Sequence, residues 1–419
     1  MAKRLIPVII HGITGRMGQI ALAALQQIGT EQLVKIDGDI IEPVPIGVAR
    51  NLDKLKIIAA DRDLKYYYTN LPQALEKAKQ INAAELIYHN TIATGIRKEV
   101  LLSALPMLDS GTTAIYMEKP LAANYQAGLA IVEVLEQRHF YHGVVHHMLE
   151  APGVVRAREL IPAIKPLSVQ MVFGYEVAPG MSDKYDYCCQ RPDFNWQLSS
   201  AGGGIILDMC HEGYLSAWLF GPTQRLSAVA RLLLAQRLSS DRMKVIHCDV
   251  EDYAALRREH ENGVVNTSIW SWYRRINSEF GPLEITIEGE RGTLVFGLYG
   301  LKMQSKETAP VLLWERGLAN LRIQWRDYWE YLEVPPRNPF AIELVEFITR
   351  FIRRQPYEKN AIGALNILGE VEAFYESAAQ NGKPIEQSQI LKYPQTVPSN
   401  WKPERLQGKL QGVGKIVFE

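Results

Sequence analysis

An unbroken apolar run, Leu5 to Ile10, ends at His11 and gives way to three glycines at intervals of three, Gly12, Gly15 and Gly18. A short continuous apolar run closed by turn residues reads as a buried strand. The Ala- and Leu-rich segment that follows, Gln19 to Gln27, is a good helix former. The alternation continues to about residue 145. Pro45–Ala49, Tyr66–Tyr68, Glu85–Tyr88 and Thr113–Met117 read as strands, and Leu71–Lys79 and Ile96–Leu105 as helices. Gly29–Glu42 fits neither period and is expected as an inserted loop. Strands alternating with helices predict a parallel, doubly wound sheet.

After Gly143-Val144-Val145-His146-His147 the pattern changes. A helix is expected from Ala151-Pro152-Gly153 through Ile161. Beyond it come two-residue alternations over 167–178, 226–235, 253–258, 264–272, 283–288 and 292–296, joined by turns. That order predicts a mostly antiparallel sheet with one face covered. Helices return over 342–353 and 364–380. The expected architecture is therefore α/β followed by α+β. An N-terminal Rossmann-type domain spans 1–145, a second domain with an open-faced sheet spans 146–385, and a Pro-, Gln- and Lys-rich tail drapes over the surface from 386 to 419.

Composition changes this picture little. At 419 residues, 47% apolar and 22% charged, the chain has the makeup of a globular protein with sizeable cores. Its formal net charge of zero argues against nucleic acid or an anionic lipid surface as partner. No apolar run reaches membrane-spanning length. The four cysteines, two of them the adjacent Cys188-Cys189, are too few for a disulfide framework, so a reducing, cytoplasmic setting is expected.

Four stretches carry chemistry. Strand, glycine turn and helix at Gly12-Ile13-Thr14-Gly15-Arg16-Met17-Gly18 form a cradle for pyrophosphate. The helix start presents unpaired N–H groups and a positive dipole end, and glycine lets phosphates approach the backbone. The spacing is G-x-x-G-x-x-G rather than G-x-G-x-x-G. At the end of the second strand stand Arg50 and Asn51 where an acid would mark NAD. An arginine there suits the 2′-phosphate of NADP, so NADP is expected, with NAD the alternative. His89, Asn90 and Thr91 close another strand at the ligand crevice. Glu118, Lys119 and Pro120 follow the strand Thr113–Met117, where charges are costly without a role.

The fourth stretch is Gly202-Gly203-Gly204, then Ile205 to Leu207, Asp208, Met209, Cys210 and His211. The glycines read as a flexible entry to a buried helix. Asp208 and His211, three apart, would share a helical face as a carboxylate–imidazole acid–base unit. Trp196 upstream and His147 are candidate substrate contacts. Cys210 beside His211 lacks a second pair at ligand spacing, so no metal is expected.

Glu118-Lys119-Pro120 downstream of such a fold resembles the signature of the glucose–fructose oxidoreductase, inositol dehydrogenase and rhizopine-catabolism (Gfo/Idh/MocA) family, over about residues 5–385. The resemblance implies an NAD(P)-dependent oxidoreductase acting on a hydroxyl of a sugar, cyclitol or related polyol. It places Lys119 beside the nicotinamide and the reacting oxygen, and Asp208 and His211 in the substrate pocket. It also implies a homodimer or homotetramer formed through the C-terminal sheet. The chain departs from the family in separating aspartate and histidine by three positions instead of four, and in placing apolar Met148 where a polar or basic residue is common. Two alternatives stand beside this reading. One is a redox-neutral, NAD(P)-assisted sugar epimerase or glycosidase; the other is an inactive NADP(H)-binding sensor or scaffold. The glycine turn also resembles that of dihydrodipicolinate reductase, which is shorter and lacks the Glu-Lys-Pro element.

Overall fold

The computed structural model describes residues 2–174, 193–239, 244–274, 278–314, 320–398 and 401. Residues 175–192, which include Cys188, Cys189, Gln190, Arg191 and Pro192, lie outside that set. So do the end of the strand expected to reach Ala178 and nearly all of the tail past 398.

The first sheet contains β1 (Lys3–His11), β2 (Lys35–Ile36), β3 (Asp39–Val48), β4 (Tyr66–Tyr68), β5 (Leu86–Asn90), β6 (Thr113–Met117) and β7 (Tyr141–Val144). The order is β2-β3-β1-β5-β6-β7, with β4 also on β3. Every pairing is parallel except β2–β3. The connecting helices are α1 (Arg16–Glu31), α2 (Leu52–Asp61), α3 (Leu71–Ile81), α4 (Thr94–Ala104) and α5 (Tyr125–Gln137). Ile6, Val8 and Ile10 of β1 pack with Leu22, Leu25 and Ile28 of α1 in a common core.

The inserted loop expected over Gly29–Glu42 is corrected. Helix α1 runs through Gly29, and the chain reverses at Asp37-Gly38, both at positive φ, into a strand that starts at Asp39. Asp-Gly favours the tight hairpin turns that need positive φ. The buried Ile36, Ile40 and Ile41 supply the strand pattern around it.

The second sheet has nine strands in the order β17-β16-β15-β14-β8-β13-β12-β9-β18. These are β8 (Pro166–Gly174), β9 (Thr223–Arg231), β12 (Tyr253–His260), β13 (Val265–Ser271), β14 (Leu283–Gly289), β15 (Gly292–Phe296), β16 (Leu301–Ser305), β17 (Glu330–Leu332) and β18 (Ile385–Glu386). All pairings are antiparallel except β13–β8. The strand expected over 226–235 ends at Arg231, and β10 (Gln236–Leu238) with β11 (Val245–His247) forms a separate ribbon. Alternation sets the two faces: Val169, Met171, Leu256, Trp270, Ile285 and Leu294 point inward, while Val172, Ile269 and Val295 are only part-buried on the other side.

Helices α6 (Pro152–Ile164), α7 (Leu198–Ala201), α8 (Ile205–Asp208), α9 (His211–Phe220), α10 (Pro339–Ile352) and α11 (Ala361–Ala379) complete the molecule. The residues of α8, α9 and α11 share one core with the sheet's inner face. Helix α10 does not. Its Leu344, Phe347, Ile348 and Phe351 join the core of β1 and α1, so the chain returns to its first layer before adding the last strand, β18, to the second sheet. Among the described residues, no helix is long and apolar enough to cross a membrane.

Candidate active site

The glycine turn is built by steric need. Gly12 sits at φ 103°, and a Cβ there would lie 2.8 Å from the Thr91 hydroxyl oxygen. A Cβ on Gly18 would meet the Gly12 carbonyl oxygen and the Ile13 Cα at 2.6 Å. Gly15 is the N-cap of α1; its N–H donates to the Gly12 carbonyl at 2.9 Å. The turn is pinned from both sides. The Gly12 N–H reaches Val48 O, while the Thr91 N–H and hydroxyl both reach His11 O. Helix α1 has no side-chain cap and no acid in its first turn. Its leading N–H groups and dipole are therefore open to an anion. Ile13 is fully buried and serves as the base of the turn; Gly15 and Arg16 are exposed. These residues fit a dinucleotide pyrophosphate.

The neighbouring strand ends differ in what they present. Arg50 is exposed at the end of β3, while the Asn51 side chain accepts the Lys54 N–H at 2.9 Å and caps α2. The Asn90 carbonyl accepts the Glu118 N–H at 3.0 Å. His89 is 1% exposed, against the Tyr116 ring and 3.8 Å from Glu118 Oε1. Its side chain is enclosed by protein. The Glu118 side chain is likewise buried, 3% exposed. Burial pushes the Glu118 carboxyl up; His89, Arg97 and His147 outweigh this and hold it below its usual range.

Arg97 was not singled out by sequence reading. It lies on α4, is 2% exposed, and donates to the carbonyls of Ile92, Glu118 and Pro120. Burial lowers its pKa to about 10, against the pull of Glu118. Through the Glu118 and Pro120 carbonyls Arg97 fixes the Glu118-Lys119-Pro120 turn, whose Lys119–Pro120 bond is cis. The signal was available: a buried arginine must spend its five donors on something.

That turn aims Lys119 at the glycine-rich stretch. Lys119 Nζ donates to the Asp208 carbonyl at 2.8 Å and lies 3.4 Å from its Oδ1. The glycine run is not flexible. A Cβ on Gly204 would lie 2.0 Å from the Glu251 carbonyl oxygen, and one on Gly203 2.5 Å from the Tyr375 hydroxyl. The Glu251 carboxylate accepts the N–H groups of Gly204 and Ile206 and the Tyr375 hydroxyl proton. Glu251 is a second residue missed, because its partners are distant in sequence.

Asp208 and His211 do not share a helix. Asp208 ends α8, Met209 and Cys210 form a turn, and His211 opens α9. The Asp208 carboxylate pairs with Lys119, across the turn that separates it from His211. Glu212, one position on, is buried on Arg258, with Ser216, Asn266 and Ser268 bonding the same carboxylate.

His211 is 2% exposed and meets His147 edge to face, ring centroids 5.1 Å apart. Burial, then the charge of Lys119, holds the His211 imidazole well below its ordinary pKa. Burial likewise lowers His147, stacked on Phe340, to about 3. Both imidazoles are neutral at pH 7 and able to accept a proton. Trp196, expected at the substrate, is fully buried between the Arg237 guanidinium and Trp272 and so props a wall. The recess beside Asp208 is lined instead by Phe194, Asn195, Trp272 and Pro120. Among the described residues, no group of three His, Cys, Asp or Glu is placed to hold a metal.

Comparison with known proteins adds the following. The family model of the GFO/IDH/MocA C-terminal domain matches residues 165–295. The D-xylose dehydrogenase of Paenarthrobacter nicotinovorans is 26% identical over 358 residues, 82% of this chain and 88% of that protein. The structure of a levoglucosan dehydrogenase in complex with NADH and L-sorbose superposes with a TM-score of 0.71 at 16% identity, covering 92% of this chain and 99% of that one. An oxidoreductase domain protein from Kribbella flavida gives 0.69 at 15% identity, covering 94% and 100%. Both structures share the two-domain fold.

Proposed function

We propose that the chain is an oxidoreductase of the Gfo/Idh/MocA kind that oxidises a secondary hydroxyl of a sugar or polyol with NADP, or NAD, as acceptor. The observation that carries the reading is the convergence of Lys119, Asp208, His211 and His147 beside a glycine turn shaped for pyrophosphate. The Gly12–Gly18 turn and Thr91 would hold the dinucleotide, with exposed Arg50 meeting the adenosine ribose and its 2′-phosphate. A bound nicotinamide supplies the acceptor for the carbon-bound hydrogen.

The chain's own residues do the rest. Lys119 Nζ has a third donor position free for the substrate oxygen once Asp208 holds the other two, and stabilises negative charge there. Neutral His211 takes the hydroxyl proton. Asp208 orients Lys119. The D-xylose dehydrogenase relative and the levoglucosan dehydrogenase fold support a carbohydrate as substrate. The part-buried outer face of the second sheet supports a homo-oligomer joined there, which light scattering tests.

The test is a two-step assay. Calorimetry with NAD and NADP comes first, then aldoses, cyclitols and anhydrosugars are followed at about 340 nm, where reduced nicotinamide absorbs. Tighter NADP binding that weakens in Arg50→Ala, with reduction on a polyol, is expected. Product formed without net reduction would replace the reading with a redox-neutral one. Binding without any turnover would leave only the sensor.

A further inference from the structure

A small cavity of about 10 Å³ is lined by His89, Tyr116, Glu118, Phe340 and Glu343. Such a volume is about what one water needs. Both ring nitrogens of His89, the Tyr116 hydroxyl and Glu118 Oε2, buried and without a hydrogen-bond partner among the described residues, belong to residues that line it; the equally unpartnered His147 Nδ1 and Tyr357 hydroxyl belong to neighbours that interact with Glu118 and Tyr116. Buried polar groups are otherwise paired, so a cluster of orphans around one cavity marks bound water.

The cluster has two ends. At one, His147 meets His211 edge to face. At the other is the buried Glu343, whose Oε1 accepts the His146 N–H at 2.6 Å. His146 and Lys359 both line an open cleft of about 850 Å³ between α6, α9, α10 and the start of α11. Lys359 is bonded there to Glu150 at 2.5 Å and Glu346 at 2.7 Å.

We infer that this cluster is a proton exit, in which Glu343, through the water of the cavity, carries the substrate's hydroxyl proton from His211 and His147 to the cleft at Lys359 and Glu150. The inference rests on the oxidation proposed above. That reaction releases one proton for each hydride transferred, and the balance closes only when the proton leaves. Neither His211 nor His147 can keep it at neutral pH. Glu343 can hold and pass one. Burial raises its carboxyl to about 8, against the pull of Lys359 and the His146 N–H and with the push of Glu150. Protonated, it takes a proton on one oxygen as it loses one from the other. The charged and titratable groups that face it are Tyr116 and Glu118 from the β6 end, His89 in the cavity wall, His146 and Glu150, Tyr214 of α9, and Tyr357 and Lys359. Glu343 is thus a positioning residue acting through others, with no contact to substrate.

The test is Glu343→Gln, which keeps the acceptor for His146 and loses the exchangeable proton. In dilute buffer, turnover should fall about tenfold, a modest share of a general acid–base effect. A larger solvent isotope effect and recovery with added imidazole should accompany the fall. A second readout needs no turnover: the infrared carboxylic C=O band at neutral pH should be present in wild type and missing in Glu343→Gln. Unchanged turnover at every buffer concentration, or a loss that buffer never restores, overturns the inference. If wild type reduces no dinucleotide, the proposed oxidation fails, and the infrared band alone decides whether Glu343 holds a proton.

Discussion

Lys119 is placed before any substrate arrives, by the Asp208 carbonyl at 2.8 Å and by a turn that Arg97 fixes from below. Side-chain entropy is therefore spent in folding and not in the reaction. Lys119→Ala and His211→Ala should each lower kcat by about 10² to 10⁴ with dinucleotide affinity nearly kept. Steady-state rates with calorimetry check this, and near-normal turnover in both would remove them from the mechanism. His11 offers a separate test through stability. It sits at the end of β1, its Nδ1 2.6 Å from the Tyr88 hydroxyl, and burial holds its pKa down to about 4. The unfolded chain binds its proton more tightly, near the ordinary value of about 6.5. The stabilising contribution is thus fully present above about pH 6.5 and is lost as pH falls through about 4. Urea melts from pH 4 to 7 should show that slope in wild type and a flatter one in His11→Gln.

Elements carry the next layer, and here the sequence was partly readable. Strand, glycine turn and helix were legible because their periods and glycines are local facts. So was the position of Lys119 after β6. The Asp37-Gly38 hairpin was equally local, its turn dipeptide and flanking isoleucines both legible, and was passed over. The break between α8 and α9 was not legible, since the i, i+3 rule assumes an unbroken helix. What breaks it is distant: Glu212 pairs with Arg258 of β12, and Glu251 binds the N–H groups that open α8. Trp196 misled for a similar reason, because an aromatic near a glycine run looks the same from sequence whether it faces a ligand or Arg237. Glu251→Ala would leave two N–H groups and the Tyr375 hydroxyl without this acceptor. At about 1–3 kcal/mol for each buried donor left unpaired, the loss should exceed about 3 kcal/mol. A urea midpoint within error of wild type would show that α8 does not depend on it.

At the scale of the molecule the first layer is incomplete without the end of the chain. Phe347 of α10 stacks on Tyr116 with centroids 4.4 Å apart and lies so close to β7 that a Cβ on Gly143 would meet it at 2.7 Å. The Val144 N–H donates to the Lys359 carbonyl, and the Ala361 N–H to His142 Nδ1, so the edge strand is closed by residues from past 350. Cutting at 145 would expose the partners of Leu344, Phe347, Ile348 and Phe351. At about 1.5–3 kcal/mol each, the loss is of order 6–12 kcal/mol. That rivals the whole stability of a typical domain, about 5–15 kcal/mol. A fragment of residues 1–145 should therefore show no cooperative thermal transition by circular dichroism and no dinucleotide binding, although it contains the entire glycine turn. Appending residues 338–361 through a glycine–serine linker should restore both, because that segment supplies α10 and the partners of β7. A cooperative melt of the shorter fragment would show that the first sheet holds its shape without the returning helix. The site would then be assembled from two independent parts, where the packing here makes the late helix a condition of the early fold.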